Sequence, residues 1–473
     1  MRYLITILAL LLSVEAKTQG LSFAMAKNEM FENNLEIQAA LQALEIADME
    51  LKATRGLRYP NIDFVGGYTL MQRDVKIDLN DIKNTLANTT HNFISEGVSS
   101  GLLMPNIADI ISSGLSPILN TDWGYTLQKR STFLGAITLT QPIYMGGSIN
   151  AAITAAEIAK QSAGYQLKAI TNSLTTQLVE YYYGVILAEQ AVELSKRVVR
   201  GIENHLFDAE ALEEEGMIAH SEVLYIKYRL SEAERELYSA TNKLKLARDA
   251  LSNILNRECS EILTDRIFIV DSIYNIDYYT ESAININPII LIARGNIALS
   301  EQGTKLARAA LLPEVAAMGG AVVASHNLSD LLPRWSIGIG VRMKIFDGLG
   351  KERRLIAAQH ANKASFTASE SITNSITLLT EQEYYNTINS LRDVAKLRSS
   401  IEFATAYLEA KQEGFNEGIT SASELIDAEL ELRAAELREL SAAFDFCKSL
   451  ARLLEAAGMS DSLEEYIEKA IFL

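Results

Sequence analysis

The stretch Phe133–Gly147, F-L-G-A-I-T-L-T-Q-P-I-Y-M-G-G, is an apolar strand pattern that stops at a proline and a pair of glycines. A second stretch of this kind, I-G-I-G-V-R-M-K-I-F-D-G-L-G, occupies Ile337–Gly350. Each stretch is followed by a long segment without proline. Because a proline inside a helix costs about 3 kcal/mol, these segments are predicted to be long unbroken helices. The strand-to-helix corners are predicted at Pro142, Gly146, Gly147 and Gly348.

The two stretches are related by a constant offset along the chain. Ile143 precedes Ile345 by 202 residues, and Gly216 precedes Gly418 by the same 202 residues. A constant distance from strand to turn, in segments whose other residues differ, indicates an internal repeat. The 473 residues are therefore predicted to form two similar halves of one elongated body.

Upstream of these strands the offset is larger. Pro60 matches Pro313, which is an offset of 253 residues, so the first half carries about 51 extra residues. They fall in residues 71–132, which are rich in Asn, Ser, Thr and Gly and are predicted to be a long inserted loop between two strands.

The predicted fold is mainly α with a small β part, and its segments follow from the repeat. Residues 1–16 are predicted to be a signal peptide, with cleavage at the latest after residue 20, and residues 17–256 and 286–457 are the two repeats. Repeat 1 contains helix 22–57, strand 60–70, loop 71–132, strand 133–142, long helix 147–213 and return helix 217–256. Repeat 2 contains helix 286–311, strands 313–323 and 335–346, long helix 350–416 and return helix 421–457. Residues 257–285 are predicted to be an irregular linker that adds at most a short strand, and residues 458–473 a tail with a short helix.

The N-terminus is typical of an exported protein. Arg2 is an early cation, the following residues are apolar, and small residues precede the proposed cleavage site at Ala16. This apolar core is shorter than the roughly 20 residues that span a bilayer. No later stretch is expected to span one, so membrane insertion would be as a β-barrel. No cysteine lies near the cleavage site, and the mature chain is expected to carry no lipid anchor.

Charge and composition exclude several functions. The formal net charge of -17 disfavours a nucleic-acid partner, because phosphate binding needs clustered Lys and Arg. No motif for catalysis, phosphate binding or metal ligation appears, so no enzyme activity, cofactor or metal site is predicted. The repeat places Cys447 about 21 Å along a helix from the level of Cys259, whereas a disulfide needs Cα atoms within about 7 Å. Two free thiols are expected.

The turns between the long helices and the return helices carry small and apolar residues where a turn is usually polar. This composition indicates a partner surface, and the alternative is that Ile218 and Ile419 only staple the turns. The residues concerned are Gly216, Met217, Ile218 and Ser221 in the first turn and Gly418, Ile419, Thr420 and Ser423 in the second.

The strand-end motifs, the two turns, the two-fold repeat and the signal peptide together resemble the TolC-type outer-membrane efflux protein family. The resemblance implies a homotrimer in which twelve strands form a β-barrel in outer-membrane lipid and twelve helical segments form a periplasmic α-barrel. It also implies an exit duct for a tripartite efflux or type I secretion system. Its partners would be a periplasmic adaptor, also called a membrane fusion protein, and an inner-membrane pump. The alternative is a periplasmic coiled-coil scaffold without a barrel.

The resemblance also assigns residues. The turns would be the sites where the adaptor docks. Glu424 and Asp427, three residues apart on one helix face, match the acidic pair at the periplasmic aperture, and Glu222 matches the acidic position of the first repeat. In a homotrimer, the copies of Glu424 and Asp427 would form a ring of carboxylates. Such a ring would attract cations and would be able to bind a divalent metal. The alternative is an ordinary solvated helix face. The chain departs from the family pattern at Leu349, where the first copy has a glycine, and in the long loop 71–132.

Overall fold

The computed structural model describes residues 20–329 and 331–473, and the predicted signal peptide lies outside the described residues. The chain divides into two compact units. The helical unit comprises the chain up to Lys52, Ala152–Thr304 and Leu355–Leu473, and the strand unit comprises Ala53–Ala151 and Lys305–Arg354.

The element bounds in chain order are as follows. The helices are α1 (Phe23–Asn33), α2 (Leu35–Arg55), α3 (Asn80–Ser99), α4 (Pro105–Leu119), α5 (Ser148–Glu214), α6 (His220–Leu255), α7 (Ile276–Ile286), α8 (Pro288–Ala309), α9 (Gly350–Asn416), α10 (Ala422–Ala456) and α11 (Leu463–Glu468). The strands are β1 (Asn61–Leu70), β2 (Val75–Asp78), β3 (Gly124–Gln128), β4 (Ser131–Met145), β5 (Phe268–Ile269), β6 (Glu314–His326), β7 (Trp335–Arg342) and β8 (Ile471–Phe472).

The strand unit contains a four-stranded antiparallel sheet with the order β1-β4-β6-β7. The pairing of β4 with β6 shifts register between Pro142 and Tyr144. Proline has no N–H to donate to a ladder, which is why it sits at this irregularity. Strands β1 and β4 form one pair, β6 and β7 form another, and the two pairs are joined through β4 and β6. Strands β1 and β7 are therefore the two edges of the sheet.

The two strand-to-helix corners have the same backbone. Gly146 and Gly147 have φ of 64° and 86°, and Gly348 and Leu349 have φ of 74° and 67°. A Cβ on Gly146 would lie 2.7 Å from the Ala309 carbonyl oxygen, so this position has no room for a side chain. Leu349 adopts the left-handed conformation at a cost of about 1 kcal/mol. The second corner therefore keeps the same backbone although it has leucine where the first has glycine.

The long helices α5 and α9 each contain 67 residues, which corresponds to about 100 Å. The return helices α6 and α10 contain 36 and 35 residues. In the helical unit, the core includes a chain of edge-to-face and stacked rings from Phe23, Tyr182, Tyr183 and Phe268. These aromatic contacts join α1, α5 and β5.

The prediction of one helix over residues 22–57 is wrong at Asn34, where the backbone is extended with ψ of 128°. The buried Asn34 side chain accepts a hydrogen bond from the Glu36 N–H at 2.9 Å and donates one to the Ile254 carbonyl at 3.0 Å. It therefore caps α2 and ties the α1–α2 joint to the last turn of α6. A helix without a break would leave the Ile254 contact unmade.

Asn287 repeats this joint in the second half, at the same offset that relates Pro60 to Pro313. Its side chain accepts from the Ile289 N–H at 2.8 Å and donates to the Ala456 carbonyl at 2.8 Å. Ala456 in turn is the equivalent of Ile254 by the offset that relates the two turns. The predicted linker 257–285 is thus wrong in its second part, because it holds α7, and the predicted helix 286–311 is α8 beginning at Pro288.

The same region corrects the expectation that no later stretch is apolar enough to span a membrane. By length and composition alone, the segment Ile276–Ala309 is long and apolar enough to cross a membrane, with a mean hydropathy of 1.2. The backbone leaves the helix at Asn287, however, and α7 and α8 are two separate helices.

Residues 71–132 are not an irregular loop. Strands β2 and β3 pair with each other, and the chain between them forms the helices α3 and α4. Asn80 closes the base of this insertion, because its amide donates to Asp122 at 2.7 Å and its oxygen accepts from the Trp123 N–H at 3.0 Å. We refer to residues 75–128 as the inserted hairpin. The tail also differs from the expectation, since β8 follows α11 and pairs with β5.

Both cysteines are buried free thiols. The Cys447 thiol donates to the Phe268 carbonyl at 3.1 Å, and burial raises its pKa to about 12. Burial also raises the pKa of the Cys259 thiol. Neither residue is exposed for disulfide exchange.

Replacement of Asn287 by alanine tests the joint. The Asn287→Ala variant loses a buried hydrogen bond and a helix cap, so we expect a loss of about 1–3 kcal/mol and a lower thermal midpoint in circular dichroism at 222 nm. Asn253→Ala is the matched control, because Asn253 is an exposed position in the last turn of α6. Equal midpoints for the two variants would contradict the role of the joint.

Candidate functional site

The two turns between long and return helices have one backbone design. The Gly216 N–H donates to the Glu213 carbonyl and the Met217 N–H to the Leu212 carbonyl, at 2.8 and 2.9 Å. The second turn has the same two bonds at the equivalent positions, to Phe415 and Gly414. Gly216 and Gly418 are both left-handed, with φ of 71° and 76°. These are Schellman caps, which explains why each turn has glycine at this position.

The two turns converge on one groove with a volume of about 700 Å³. It brings together six of the residues predicted at the turns and the aperture, namely Met217, Ile218, Glu222, Gly418, Ile419 and Thr420. Gly216, Ser221 and Ser423 do not line it, and Ser423 instead contacts the hydroxyl of Ser421, the N-cap of α10, at 2.9 Å. The sequence therefore located both turns, and the structure shows that they form one surface.

The apolar residues of the turns divide into two kinds. Ile218 packs against a buried cluster that includes Ile202 and Ile226, so it staples its turn. Met217 and Ile419 are 72% and 78% exposed and contribute little to the core. An exposed apolar pair on a groove is typical of a protein-binding surface.

The predicted aperture residue Asp427 has two partners on α6. Its carboxylate accepts from the Tyr225 hydroxyl at 2.8 and 3.0 Å, and the Arg229 guanidinium lies 3.4 Å away. Burial, followed by this hydrogen bond, raises the pKa of Tyr225. Tyr225 and Asp427 are equivalent positions of the two repeats, since they are separated by the same offset as the two turns. We call this contact between α6 and α10 the entrance latch.

The other two predicted aperture residues have different surroundings. Glu424 accepts from Lys411 at 3.2 Å, and this hydrogen bond raises the pKa of Lys411. Glu222 lines the groove between the turns, and its Oε2 atom is buried without a hydrogen-bond partner. Glu424 and Asp427 therefore lie on one helix face as predicted from their spacing, but each carboxylate is compensated by a cation.

The sequence analysis missed Tyr225, Arg229 and Lys411. Applying the offset between the two turns to Asp427 leads to Tyr225, so the repeat itself contained the signal for the latch. For residues 20–329 and 331–473, no group of three or more His, Cys, Asp and Glu side chains is placed to hold a metal ion. The chemistry of this region is thus hydrogen bonding and charge pairing between helices.

The family model for outer membrane efflux proteins matches residues 27–257 and 280–459, which include the long and return helices of both halves, both turns and the four-stranded sheet. The chain belongs to the outer membrane efflux protein family. The resemblance found in the sequence is confirmed, and so is the mainly α fold with a small β part. This efflux protein is an exit duct located in the outer membrane, and its family consists of channels and not of enzymes.

Individual relatives agree with this assignment. The chain is 23% identical to the outer membrane protein TolC of Vibrio cholerae over 364 residues, which cover 73% of this chain and 83% of TolC. Among solved structures it resembles a membrane protein from Pseudomonas aeruginosa, with 15% identity, a TM-score of 0.73 and coverage of 93% and 92% of the two chains. It also resembles the open state of the MtrE channel of Neisseria gonorrhoeae, with 16% identity, a TM-score of 0.72 and coverage of 93% and 89%.

Removal of one hydroxyl tests the entrance latch. In Tyr225→Phe the α6–α10 contact loses a hydrogen bond to a charged group, which is worth about 1 kcal/mol at an exposed position. If this contact holds the channel closed, its loss shifts the closed-to-open equilibrium about fivefold. We expect more frequent openings of the purified protein in planar bilayers. Tyr228→Phe is the control, because Tyr228 lies on the same helix and is 56% exposed. Identical opening frequencies in the two variants would refute the latch.

Proposed function

We propose that three copies of the chain form the duct. The four-stranded sheet is open, and about eight strands are needed before a barrel can close, so edge β1 of one copy would pair with edge β7 of the next. Alternate residues along both edge strands are apolar and exposed, the pattern of a lipid-facing barrel wall. These are Ile62, Phe64, Tyr68 and Leu70 in β1 and Trp335, Ile337, Ile339 and Val341 in β7.

The groove between the two turns is, in this proposal, the docking site of a periplasmic adaptor that connects the duct to an inner-membrane pump. The observation that carries the proposal is the convergence of both turns on one groove with Met217 and Ile419 exposed. The buried Glu222 Oε2 atom is an acceptor that needs a donor, and an adaptor side chain would supply it. The adaptor and pump would select the cargo, whether a small molecule or a secreted protein.

The entrance latch would keep the periplasmic end closed until the adaptor binds. Docking at the turns would separate α6 from α10 and so break the contacts of Asp427 with Tyr225 and Arg229. Opening would then be a shift between two packings of the same helices. In a trimer, Glu222, Glu424 and Asp427 would surround the entrance and favour cations. In the closed state, pairing of Glu424 with Lys411 and of Asp427 with Arg229 would weaken this selectivity. Loss of the Asp427–Arg229 pair on opening would strengthen it again.

A charge placed in the groove tests adaptor docking. We expect Ile419→Asp to abolish efflux, because a carboxylate in an apolar contact must be desolvated, while trimers remain in the outer membrane. The control is Ile262→Asp, since Ile262 is 77% exposed and lies in the segment between α6 and β5. Efflux would be measured as substrate accumulation in cells that lack other exit ducts. Wild-type efflux by Ile419→Asp would rule out docking at this groove.

The inserted hairpin is proposed to lie on the outer face of the membrane and to narrow the mouth of the duct. Both of its ends continue into β1 and β4 at the strand ends that lead away from α2 and α5. Its helices keep an exposed apolar stripe, formed by Ile82, Leu86 and Phe93 in α3 and Ile107, Ile110 and Ile118 in α4. Stripes of this kind are normally covered by another surface.

Deletion of residues 80–119, with a short Gly-Ser connection between β2 and β3, tests this role. If three copies of the hairpin narrow the mouth, the single-channel conductance of the purified trimer should rise, because an obstruction in series with the pore has been removed. Unchanged conductance of an intact trimer would show that the hairpin does not restrict the channel.

A further inference from the structure

One face of α9 carries large apolar side chains that the rest of the described chain leaves exposed. Leu378 and Phe403 are 65% and 73% exposed, and Tyr385 and Tyr407 are exposed as well. The spacings between these residues are 7, 18 and 4, which are close to whole turns of about 3.6 residues, so all four lie on one face. The rings of Phe403 and Tyr407 stack with centroids 6.2 Å apart and planes 9° from parallel. We call these four residues the α9 stripe.

The repeat gives each residue of the α9 stripe a counterpart on α5. Both helices contain 67 residues, and the offset of 202 residues that relates the two turns also relates their first residues, Ser148 and Gly350. Tyr183 is fully buried, whereas its counterpart Tyr385 is exposed, so the equivalent face of α5 is covered within one copy. The counterparts of the stripe, in the same order, are Thr176, Tyr183, Gly201 and His205.

Helix α10 provides this cover on α5. The Thr176 hydroxyl donates to the Ala451 carbonyl at 3.4 Å, and the His205 Nε2 atom lies 3.3 Å from a Glu429 carboxylate oxygen. A Cβ on Gly201 would lie 3.2 Å from the same carboxylate, so the glycine leaves room for it. The face of α5 that corresponds to the α9 stripe is thus a contact surface between helices.

The offset also identifies the helix that matches the α9 stripe. The counterpart of α10 is α6, which begins 202 residues earlier. In its own copy α6 is already packed, since Arg248 pairs with Glu189 of α5 and Tyr225 donates to Asp427 of α10. The α6 that lies against α9 would therefore come from a second copy of the chain. Its exposed apolar residues are Leu224, Tyr228, Tyr238 and Leu246.

A groove beside the α9 stripe repeats this relation. It has a volume of about 470 Å³ and lies between α9 and α10, and its lining from α10 includes Glu431, Ala435 and Arg438. Within one copy, the described residues that line the groove come from these two helices. A cavity between α5, α6 and α10 is the counterpart of the groove, and α10 gives it a third wall. The groove therefore lacks one wall, and the counterpart of that wall is α6 of a second copy. The α6 residues of the cavity that match the three α10 residues are Arg229, Ala233 and Glu236.

We propose that α6 of a neighbouring copy covers the α9 stripe, with its Lys227 over the rings of Phe403 and Tyr407. The contact within one copy gives this pairing, because the counterparts of the three residues are Glu429, Gly201 and His205. A cation in place of the acid suits two aromatic rings in place of the glycine and the histidine, since lysine is attracted to the face of a ring. Lys227 is exposed and lies 2.8 Å from Glu210 of its own copy. The contact rests on the proposed trimer and identifies the helix surfaces on which its copies meet.

Another side of the long helices provides a contrast. Phe207 of α5 is 75% exposed and lies two residues from His205, so it points away from α10. Its counterpart on α9 is the exposed acid Glu409. A charged residue at this position indicates a face that stays in water, whereas the α9 stripe is apolar at each of its four positions. Burial of the stripe would remove apolar surface from water, which favours association.

Cysteine cross-linking of the purified protein tests the contact. A variant with Phe403→Cys and Lys227→Cys should form covalent trimers with a short bismaleimide that is quenched before a denaturing gel. The native Cys259 and Cys447 are buried, so the wild type should remain without cross-links. The matched control combines Phe403→Cys with Tyr238→Cys, because Tyr238 is exposed on α6 but lies about 17 Å along the helix from Lys227. This control should form far fewer covalent trimers.

Light scattering of the same samples separates the contact from the proposed trimer. Equal cross-linking in the two variants, or none in a protein that is trimeric, would overturn the contact and leave the trimer standing. Cross-links confined to single chains would place Lys227 against the stripe of its own copy and would overturn it too. A monomeric wild type would refute the trimer and the contact together.

An aspartate in the stripe gives a second test. Phe403→Asp puts a carboxylate into a contact that excludes water, so its trimers should dissociate at a lower temperature in mild detergent. Phe207→Asp is the matched control and should dissociate as the wild type does, because Phe207 lies on the face that stays in water. Equal dissociation temperatures for the two variants would contradict the proposal.

Discussion

The helical unit depends on one buried asparagine in each half of the chain. Asn34 and Asn287 each end one helix, cap the next one and bond to the last turn of the return helix of the same half. A buried amide whose donor and acceptor are both used favours one arrangement, because any other leaves polar atoms unpaired. The return helices are therefore held at a fixed place relative to the joints, and the long hairpins extend from two equivalent bases.

The distribution of proline and the constant offset between the two turns were sufficient to predict the long helices, the turns and the strand corners. Their physical basis is local, since proline breaks helices and the left-handed turns need glycine. The joints were missed because the apolar pattern continues through Asn34. The Asn-Pro pair at 287–288 is a break signal, and carrying it back by the offset between Pro60 and Pro313 would have placed the first joint correctly.

The inserted hairpin was misjudged from its composition. Its Asn, Ser, Thr and Gly content indicated a loop, but Ile82, Leu86 and Phe93 recur at helical spacing in α3. Pro105 also supported a loop, although it occupies the first position of α4, where a missing N–H costs nothing. The partners of the predicted aperture residues could not be predicted from single helices. Tyr225 contacts Asp427, and Lys411 contacts Glu424, only when separate helices pack together.

The contact between Tyr225 and Asp427 shows why the two halves share a backbone but differ in their side chains. The repeat gives Tyr225 and Asp427 equivalent positions and brings them into contact with each other. Two carboxylates at such a contact would repel each other and raise one another's pKa. A tyrosine in one half and an aspartate in the other convert this contact into a hydrogen bond. Arg229 then adds a cation whose equivalent in the second half is the acid Glu431, so charge complementarity also depends on the difference between the halves. The duplicated backbone supplies the framework of the duct, and the latch forms where the two sequences have diverged.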